Sequence, residues 1–158
     1  MHNSFDRTQL TSQIIRTQQS CAGVLVVRFL ISEVLHMKFG KTTPILRSFD
    51  EAKTIDFYVE FLGFNVDWKH RFEEEGSLYL QISKDGCVLH LSEHHGDCCP
   101  GSAMRIEVAE IEKYQKELVG KKHKNSRPEL EDTPWGSRDM SIRDPFGNKL
   151  VFTNAIST

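Results

Sequence analysis

A weak internal repeat constrains the fold of this chain more than any other feature. The segment Gly86–Ser92 (GCVLHLS) recurs in outline as Gly147–Thr153 (GNKLVFT), and each copy follows an acidic turn. Each copy also comes after a helix-like segment that ends in a glycine. The same order of elements twice within about 120 residues predicts two copies of one small βαβββ unit. The repeat places His90 of the first copy in register with Val151 of the second.

The composition indicates an ordinary globular protein. The chain has 158 residues, 39% of them hydrophobic, which is a one-domain length with enough apolar side chains for a core. The formal net charge is −2 and no basic stripe is present, so we do not expect nucleic acid as a partner. The four cysteines, Cys21, Cys87, Cys98 and Cys99, form no C-x-x-C pair, which favours a reduced, cytoplasmic protein.

Residues 1–36 differ from the rest of the chain. A stretch rich in Thr, Gln and Ser is followed by an apolar run that is too short to span a membrane, so we expect no membrane partner. We interpret the segment either as an upstream extension, which could form an amphipathic helix, or as the result of a start ahead of Met37. The globular domain is predicted to occupy residues 37–158, with modules at about 39–93 and 102–154.

Periodicity predicts the elements of the first module. We expect a strand at residues 42–47 and then a helix that begins with a capping box of Ser48 and Glu51. The apolar face of that helix is predicted to consist of Ile55, Tyr58, Val59 and Leu62. The next strand, residues 64–72, alternates strictly, which predicts one apolar face made of Phe64, Val66, Trp68, His70 and Phe72. A hairpin at Asp85–Gly86 joins two further strands.

The second module is predicted to repeat this order. A strand at residues 103–108 leads to a helix marked by Ile111, Tyr114 and Leu118 that ends at Gly120. The charged segment 121–127 is predicted to be an edge strand. Two final strands at residues 138–143 and 149–154 are expected on either side of a turn that begins at Asp144.

Three segments resemble a known superfamily. They are Pro44-Ile-Leu…Asp56-Phe-Tyr…Leu62-Gly-Phe64, Trp135-Gly-Ser-Arg138 and Arg143-Asp-Pro-Phe-Gly-Asn148. They are similar to the vicinal oxygen chelate superfamily, which includes glyoxalase I, extradiol dioxygenases, fosfomycin-resistance enzymes and bleomycin-resistance proteins. The resemblance covers Phe39 to Asn154 and is greatest to the bleomycin-resistance branch. It implies an α+β fold in which two βαβββ modules form a cleft-lined curved sheet, and it implies a homodimer.

The same resemblance bears on metal binding. Metal-using members carry one ligand on each of four strands, and the matching positions here are Thr43, His90, Ala103 and Val151. A catalytic divalent metal usually needs at least three protein ligands that are His, Cys or carboxylate side chains. Only His90 meets that requirement. We therefore expect no metal and no other cofactor.

Alternation along the strands predicts which side chains face the cleft. We expect the following residues to pack under the helices: Pro44, Leu46, Leu89, Leu91, Met104, Ile106, Leu150 and Phe152. The predicted ligand-binding residues are Trp135, His90, Arg105, Glu107, Trp68, Thr43, Arg47 and Ser92. Arg105 and Glu107 are neighbours on one strand face and could pair with each other, or Glu107 could meet a cationic ligand. Trp68 could lie in the core or in the cleft.

The function that this sequence favours is binding rather than catalysis. We expect a metal-free protein that binds a small molecule of the bleomycin antibiotic type and confers resistance by sequestration. One alternative is a divergent metal-dependent lyase, transferase or dioxygenase of the same superfamily. Another is a binding domain for an unknown metabolite, because a shared fold does not specify the ligand.

Overall fold

The computed structural model describes residues 39–74, 76–124 and 126–156. The segment 1–36 and Met37 lie outside these residues, so their interpretation stays a prediction. In chain order the elements are β1 (Ile45–Arg47), α1 (Glu51–Thr54), a π-helical segment (Ile55–Phe61), β2 (Asn65–Arg71), β3 (Leu78–Lys84), β4 (Cys87–Ser92), β5 (Ala103–Glu107), α2 (Ile111–Gly120), β6 (Leu130–Asp132), β7 (Ser137–Arg143) and β8 (Lys149–Ala155).

Two four-stranded sheets have the same strand order. The first runs β1-β4-β3-β2 and the second β5-β8-β7-β6. The first pair in each sheet is parallel and the other pairs are antiparallel. His90 pairs with Ile45 across β4 and β1, and Val151 pairs with Arg105 across β8 and β5. This matching register confirms the α+β class and the two βαβββ modules.

The strands of the two modules form two open four-stranded sheets. Within the described part of the chain, no strand of the first sheet pairs with a strand of the second. The modules are joined through their helix-covered faces, where the inward side chains Leu46, Leu89, Leu91, Ile106, Leu150 and Phe152 belong to one buried cluster. Burial of a side chain of this size stabilises the fold by about 1.5–3 kcal/mol. Alternation therefore predicted the core face of β1, β4, β5 and β8 correctly.

A buried polar clamp links the two modules at the turn between β7 and β8. The Asp144 carboxylate accepts hydrogen bonds from the Tyr58 hydroxyl (2.8 Å) and from the Asn148 side-chain amide (2.7 Å). The same amide donates to the Arg47 carbonyl oxygen at the end of β1 (2.8 Å). Asp144, Tyr58 and Asn148 are all buried. Burial, and then the nearby Asp144 charge, raises the pKa of Tyr58 well above its usual value, so its hydroxyl remains a donor.

The start of α1 differs from the prediction. Asp50 caps the helix, because its side chain accepts a hydrogen bond from the Lys53 backbone N–H (3.0 Å). The Ser48 hydroxyl instead bonds to the Thr54 hydroxyl at 2.7 Å in a buried contact. Glu51 pairs with Lys69 and Arg71 on β2. The capping box of Ser48 and Glu51 was therefore wrong, since the Ser48 hydroxyl bonds to a side chain of the helix and the Glu51 carboxylate pairs with β2.

The helix also widens after its first turn. Residues Ile55–Phe61 form a π-helix, and the buried face consists of Phe57, Tyr58, Phe61 and Leu62. The predicted face instead combined Tyr58 and Leu62 with Ile55 and Val59, which are only partly buried. The prediction assumed 3.6 residues per turn, and a π-helix has a longer i to i+5 repeat that moves the buried stripe.

The predicted edge strand at 121–127 was wrong. Lys122 has a φ of 50°, a left-handed conformation that reverses the chain directly after α2. The edge strand is β6, Leu130–Asp132, which pairs with β7. Lys121 donates to the carbonyl oxygens of Glu60 and Phe61, so this charged segment contacts the first helix.

Candidate functional site

A β-bulge in β2 positions the aromatic side chains of the first sheet. Val66 pairs with Ile82, but Trp68 pairs with the very next residue of β3, Gln81, which leaves Asp67 as an extra residue. A bulge of this kind reverses the alternation of the strand beyond it. Phe64 is therefore buried in the core, whereas Trp68 is 41% exposed and Phe72 is 75% exposed. The prediction that all five alternating residues share one face was wrong for this reason.

Trp68, Tyr79 and His90 form an aromatic triad on the open face of the first sheet. The Trp68 and Tyr79 rings are stacked, with centroids 5.9 Å apart and planes 10° apart. The His90 ring meets both edge-on, at 5.4 Å from Trp68 and 5.3 Å from Tyr79. Both are favourable aromatic geometries, so the triad is a preorganised surface on which a flat molecule could stack.

A chain of hydrogen bonds fixes the orientation of this triad. The Tyr79 hydroxyl lies 2.8 Å from His90 Nδ1, and His90 Nε2 lies 3.0 Å from Gln81 Oε1. Gln81 Nε2 donates to the Asp67 carboxylate at 2.8 Å. Because an ionised carboxylate can only accept, the Gln81 amide must present its oxygen to His90. His90 therefore carries its proton on Nε2 and accepts from Tyr79 at Nδ1.

The protonation states of Tyr79 and Asp67, at the two ends of this hydrogen-bond chain, agree with donation from Tyr79 towards Asp67. Hydrogen bonds from Gln81 and Ser83 lower the pKa of Asp67, so it is a carboxylate at neutral pH. Burial, followed by the charges of Asp97 and Cys98, raises the pKa of Tyr79, so its hydroxyl keeps its proton. The proton donors in this network all point from Tyr79 towards Asp67. The hydrogen-bond network of the triad thus ends at a negative charge.

The residues at the four superfamily metal positions do not fit a metal ion. Both ring nitrogens of His90 are engaged by Tyr79 and Gln81. Ala103 and Val151 have no lone pair, and Val151 is buried. Thr43 precedes β1 and is exposed. In the described segments no group of three or more His, Cys, Asp or Glu side chains is arranged to hold a metal.

The open face of the second sheet carries an ion pair. Arg105 binds Asp139 in a bidentate manner at 2.9 and 3.0 Å and also donates to the Thr153 hydroxyl. Burial alone would raise the pKa of Asp139, but hydrogen bonds from Thr153, Arg105 and Ser137 outweigh it and keep the pKa low. Of the two alternatives for Arg105 and Glu107, their mutual pairing is not formed, because Asp139 on β7 provides Arg105 with a more buried and better aligned partner.

Arg47 and Ser92 are used to hold the linker between the modules. The Arg47 guanidinium donates to the carbonyl oxygens of Cys98 and His94, the latter at 2.6 Å. The Ser92 hydroxyl donates to Asp97 at 2.5 Å. Arg47 is 5% exposed and Ser92 is fully buried. Both residues lie on the strand face that was predicted, but the linker covers them.

The remaining predicted site residues lie apart from the triad. Trp135 is at the turn between β6 and β7 and is 72% exposed, as expected for a loop residue. In the parts of the chain that are described, its ring contacts no other aromatic ring. Glu107 is at the end of β5 and lines a groove between the modules. The structure thus brings together His90 and Trp68, and among the described residues no side-chain hydrogen bond or ring contact joins Trp135, Arg105, Glu107 or Thr43 to them.

Four residues of the two open faces were missing from the predicted site, namely Tyr79, Gln81, Asp67 and Asp139. Tyr79 and Gln81 could have been found, because they alternate with Leu78, Leu80 and Ile82 and must lie on the face of His90. Asp139 could have been found from the same alternation on β7. Asp67 could not, because its position depends on the bulge.

Two βαβββ modules with the same strand order, each with one open sheet face, define a class of duplicated α+β proteins. The sequence profile of the glyoxalase superfamily protein family matches residues 30–158. The chain belongs to this family, in agreement with the resemblance carried by its three sequence segments. No curated protein is significantly similar to it in sequence.

Solved structures with this fold include binding proteins and enzyme relatives. A bleomycin-binding protein from bleomycin-producing Streptomyces verticillus, complexed with copper(II)-bleomycin, is 23% identical with a TM-score of 0.56, and the match covers 78% of this chain and 100% of that one. An antibiotic binding protein from Streptomyces sp. CB03234 is 22% identical with a TM-score of 0.58, and the match covers 76% of this chain and 99% of that one. A glyoxalase-related enzyme from Clostridium phytofermentans is 20% identical with a TM-score of 0.60, and the match covers 77% of this chain and 99% of that one. At these identities the likeness shows the fold alone. No helix in residues 39–156, apart from the two undescribed positions, is long and apolar enough to cross a membrane.

Proposed function

We propose that this chain is a metal-free binding protein that sequesters a planar, cationic molecule of the bleomycin type and thereby confers resistance. The observation that carries the proposal is the triad of Trp68, Tyr79 and His90. Trp68 is 41% exposed and stacks on Tyr79, and hydrogen bonds hold Tyr79 and His90 in place. Rigid aromatic groups with a few fixed polar atoms are what a small-molecule site requires.

The charges around the triad support a cationic ligand. Asp67 is linked to it through Gln81 as a carboxylate, and the Asp97 charge is close enough to raise the pKa of Tyr79. A cation over an aromatic face gains about 0.5–1 kcal/mol at an exposed site and more when water is excluded. Bleomycin combines flat ring systems with positive charge. Two proteins of the same fold are a bleomycin-binding protein and an antibiotic binding protein.

Sequestration rather than conversion is supported by the state of His90. A general base needs a free lone pair within reach of its substrate, and a metal ligand needs the same. The His90 lone pair on Nδ1 is occupied by the Tyr79 hydroxyl. The network instead provides an exposed stacking surface and the acceptor lone pairs of the Tyr79 oxygen.

We further propose a homodimer with the ligand groove at or near the subunit boundary. The triad is on the first sheet and Trp135 is on the second, and both are exposed. A partner subunit could bring its second sheet against the first sheet and enclose the ligand, and two-fold pairing is the most common arrangement of small oligomers. Light scattering should give twice the chain mass at micromolar concentration, and a monomer mass would contradict this part of the proposal. The cytoplasmic location stays a proposal based on the unpaired Cys87, Cys98 and Cys99.

The proposal is tested by titrating the protein with metal-free bleomycin and following tryptophan fluorescence and heat of binding. We expect saturable binding that Trp68→Ala weakens by about two- to tenfold, because one stacked ring contributes roughly 0.5–1.5 kcal/mol beyond its area. Val119→Ala, an exposed apolar change on α2, is the matched control and should leave the affinity unchanged. The absence of saturable binding would refute bleomycin as the ligand.

The rival function, a metal-dependent enzyme, is tested on the same material. The ligand should be recovered chemically intact after long incubation, and elemental analysis should find no stoichiometric metal. One tightly held Ni, Zn, Fe or Mn ion per chain that is lost in His90→Ala would overturn the binding proposal and favour the enzyme.

A further inference from the structure

The linker between the modules, residues 93–101, carries two adjacent cysteines that the proposed function does not use. Cys98 and Cys99 are both free thiols. Cys99 is exposed and Cys98 is partly buried. The ease with which a thiol is oxidised depends on its exposure, and a second thiol beside the first can convert the oxidised product into a disulfide. The pair therefore has the two parts that reversible oxidation requires.

Arg47 holds the backbone between these two cysteines. Its guanidinium donates to the Cys98 carbonyl oxygen from both Nε (3.0 Å) and Nη2, and to the His94 carbonyl oxygen from Nη1 (2.6 Å). Arg47 is 5% exposed, and within the described residues no carboxylate forms an ion pair with it. A buried charge without a charged partner is costly, so water that reaches the guanidinium would offset part of the loss when the linker leaves.

A disulfide between adjacent residues closes a ring that contains the peptide group between them. Consecutive Cα atoms are about 3.8 Å apart across a trans peptide, whereas disulfides usually join Cα atoms that are about 4.4–6.8 Å apart. The peptide between Cys98 and Cys99 must therefore turn when the ring closes. The carbonyl oxygen of this peptide is the one that Arg47 binds, so ring closure removes it from the guanidinium.

Glycine turns on both sides of the pair allow this movement. Gly96 and Gly101 have φ values of 101° and 84°, and nothing lies within 4 Å of the position that a Cβ atom would take at either residue. Glycine changes its backbone conformation at little steric cost. The segment between the two glycines can therefore turn while β4 and β5 stay in place.

We infer that a hydroperoxide oxidises Cys98 and Cys99 to a reversible intramolecular disulfide, and that this disulfide releases the linker from Arg47. The exposed Cys99 thiol reacts first, taking one oxygen from hydrogen peroxide to become a sulfenic acid while the other oxygen leaves as water. The Cys98 sulfur then attacks the Cys99 sulfur, the S–S bond forms, and the sulfenic oxygen leaves as a second water with the Cys98 proton. In total, two thiols lose their hydrogens and one peroxide is reduced.

The order of the two steps agrees with the surroundings of the thiols. Burial raises the pKa of the Cys98 thiol, which favours the protonated form and suits the second role. A ring that distorts its own peptide is a strained disulfide, and strained disulfides are easily reduced, so excess thiol should restore the linker. The inference does not depend on the ligand proposed for the triad, so either can hold without the other.

Mass spectrometry tests the disulfide. In the full chain with Cys21→Ser and Cys87→Ser, Cys98 and Cys99 are the only thiols. A small excess of hydrogen peroxide should lower the mass of this protein by about 2 Da, the mass of two hydrogen atoms, and dithiothreitol should restore it. Adding Cys99→Ser is the control and should abolish the loss. Peptide mapping of the oxidised wild-type chain should place the same link between Cys98 and Cys99.

Three results would overturn the disulfide. The protein could gain oxygen atoms and lose no hydrogen, two chains could become joined through these cysteines, or the mass could stay unchanged under peroxide that oxidises free cysteine.

Hydrogen exchange measured by NMR tests the release of the linker. The Arg47 Nε–H donates to Cys98 in the reduced protein and should exchange with water at least about tenfold faster after oxidation, because a released donor loses its protection. The Arg138 Nε–H donates to Asp132 on the second sheet and is the matched control, which should exchange at one rate in both forms. An unchanged exchange rate for Arg47 in the disulfide form would show that the linker stays attached and would overturn this part of the inference.

Discussion

Replacement of Asp144 by alanine tests the polar clamp between the modules. The carboxylate accepts four hydrogen bonds, from the Tyr58 hydroxyl, the Phe146 and Asn148 backbone N–H groups and the Asn148 side-chain amide, at 2.7–2.9 Å. It is 6% exposed, so water cannot readily replace it. Asp144→Ala therefore leaves buried donors without acceptors, in contrast to the loss of a surface contact.

The magnitude follows from the donors that are left unpaired. An unsatisfied buried donor costs about 1–3 kcal/mol, and hydrogen bonds to a charged group contribute more than neutral ones. Removing the carboxylate also removes its own desolvation cost, which offsets part of the loss. We expect Asp144→Ala to lower the free energy of unfolding by about 3 kcal/mol, which corresponds to a fall in Tm of roughly 10–15 °C for a domain of this size.

Urea denaturation followed by far-UV circular dichroism measures this change. Tyr58→Phe removes one donor and leaves Asp144 with three, so it should cost only about 1 kcal/mol. Adding Tyr58→Phe to Asp144→Ala should restore part of the lost stability, because the unpaired hydroxyl is removed with it. Glu131→Gln, an exposed change, is the control. If Asp144→Ala unfolds at the same urea concentration as this control, the clamp does not stabilise the contact between the modules.

A further prediction concerns the ligand site. Trp135→Ala should weaken bleomycin binding by about two- to tenfold with little change in Tm, because the ring is 72% exposed and makes no ring contact in the described residues; general unfolding of this variant would instead make Trp135 a structural residue.

The sequence predicted the fold because the repeat and the strand alternation act over long stretches. A one-residue error in register would have placed Leu89 and Leu91 in solvent, so the hydrophobic pattern determines which face of β4 is buried. The alignment of His90 with Val151 followed from the same pattern and was confirmed by their matching partners in the two sheets. Periodic signals of this kind average over many residues and tolerate local exceptions.

Local exceptions explain what the sequence did not predict. Alternation placed Arg47 and Ser92 on the ligand face, and it carried no information that the linker 93–101 would cover them. Ser48 and Glu51 had the spacing of a capping box, but Asp50, two residues further on, competes for the same role. The candidate site was therefore predicted in part: His90 was identified, and the residues that orient it were not.

The bulge at Asp67 leads to a final prediction, because this one extra residue also determines the proton position on His90. The Asp67 carboxylate holds the Gln81 amide so that its oxygen faces His90 Nε2. In the wild type, ¹⁵N NMR at high pH should find His90 protonated at Nε2 and unprotonated at Nδ1. Asp67→Ala releases the Gln81 amide, which can then turn and donate to Nε2, so the Nδ1–H tautomer should appear beside the first. Ser83→Ala removes only the other hydrogen bond of Asp67 and should preserve the single tautomer. If the wild type already contains both tautomers, or if Asp67→Ala retains only one, then Asp67 does not orient His90 and the bulge serves only to expose Trp68.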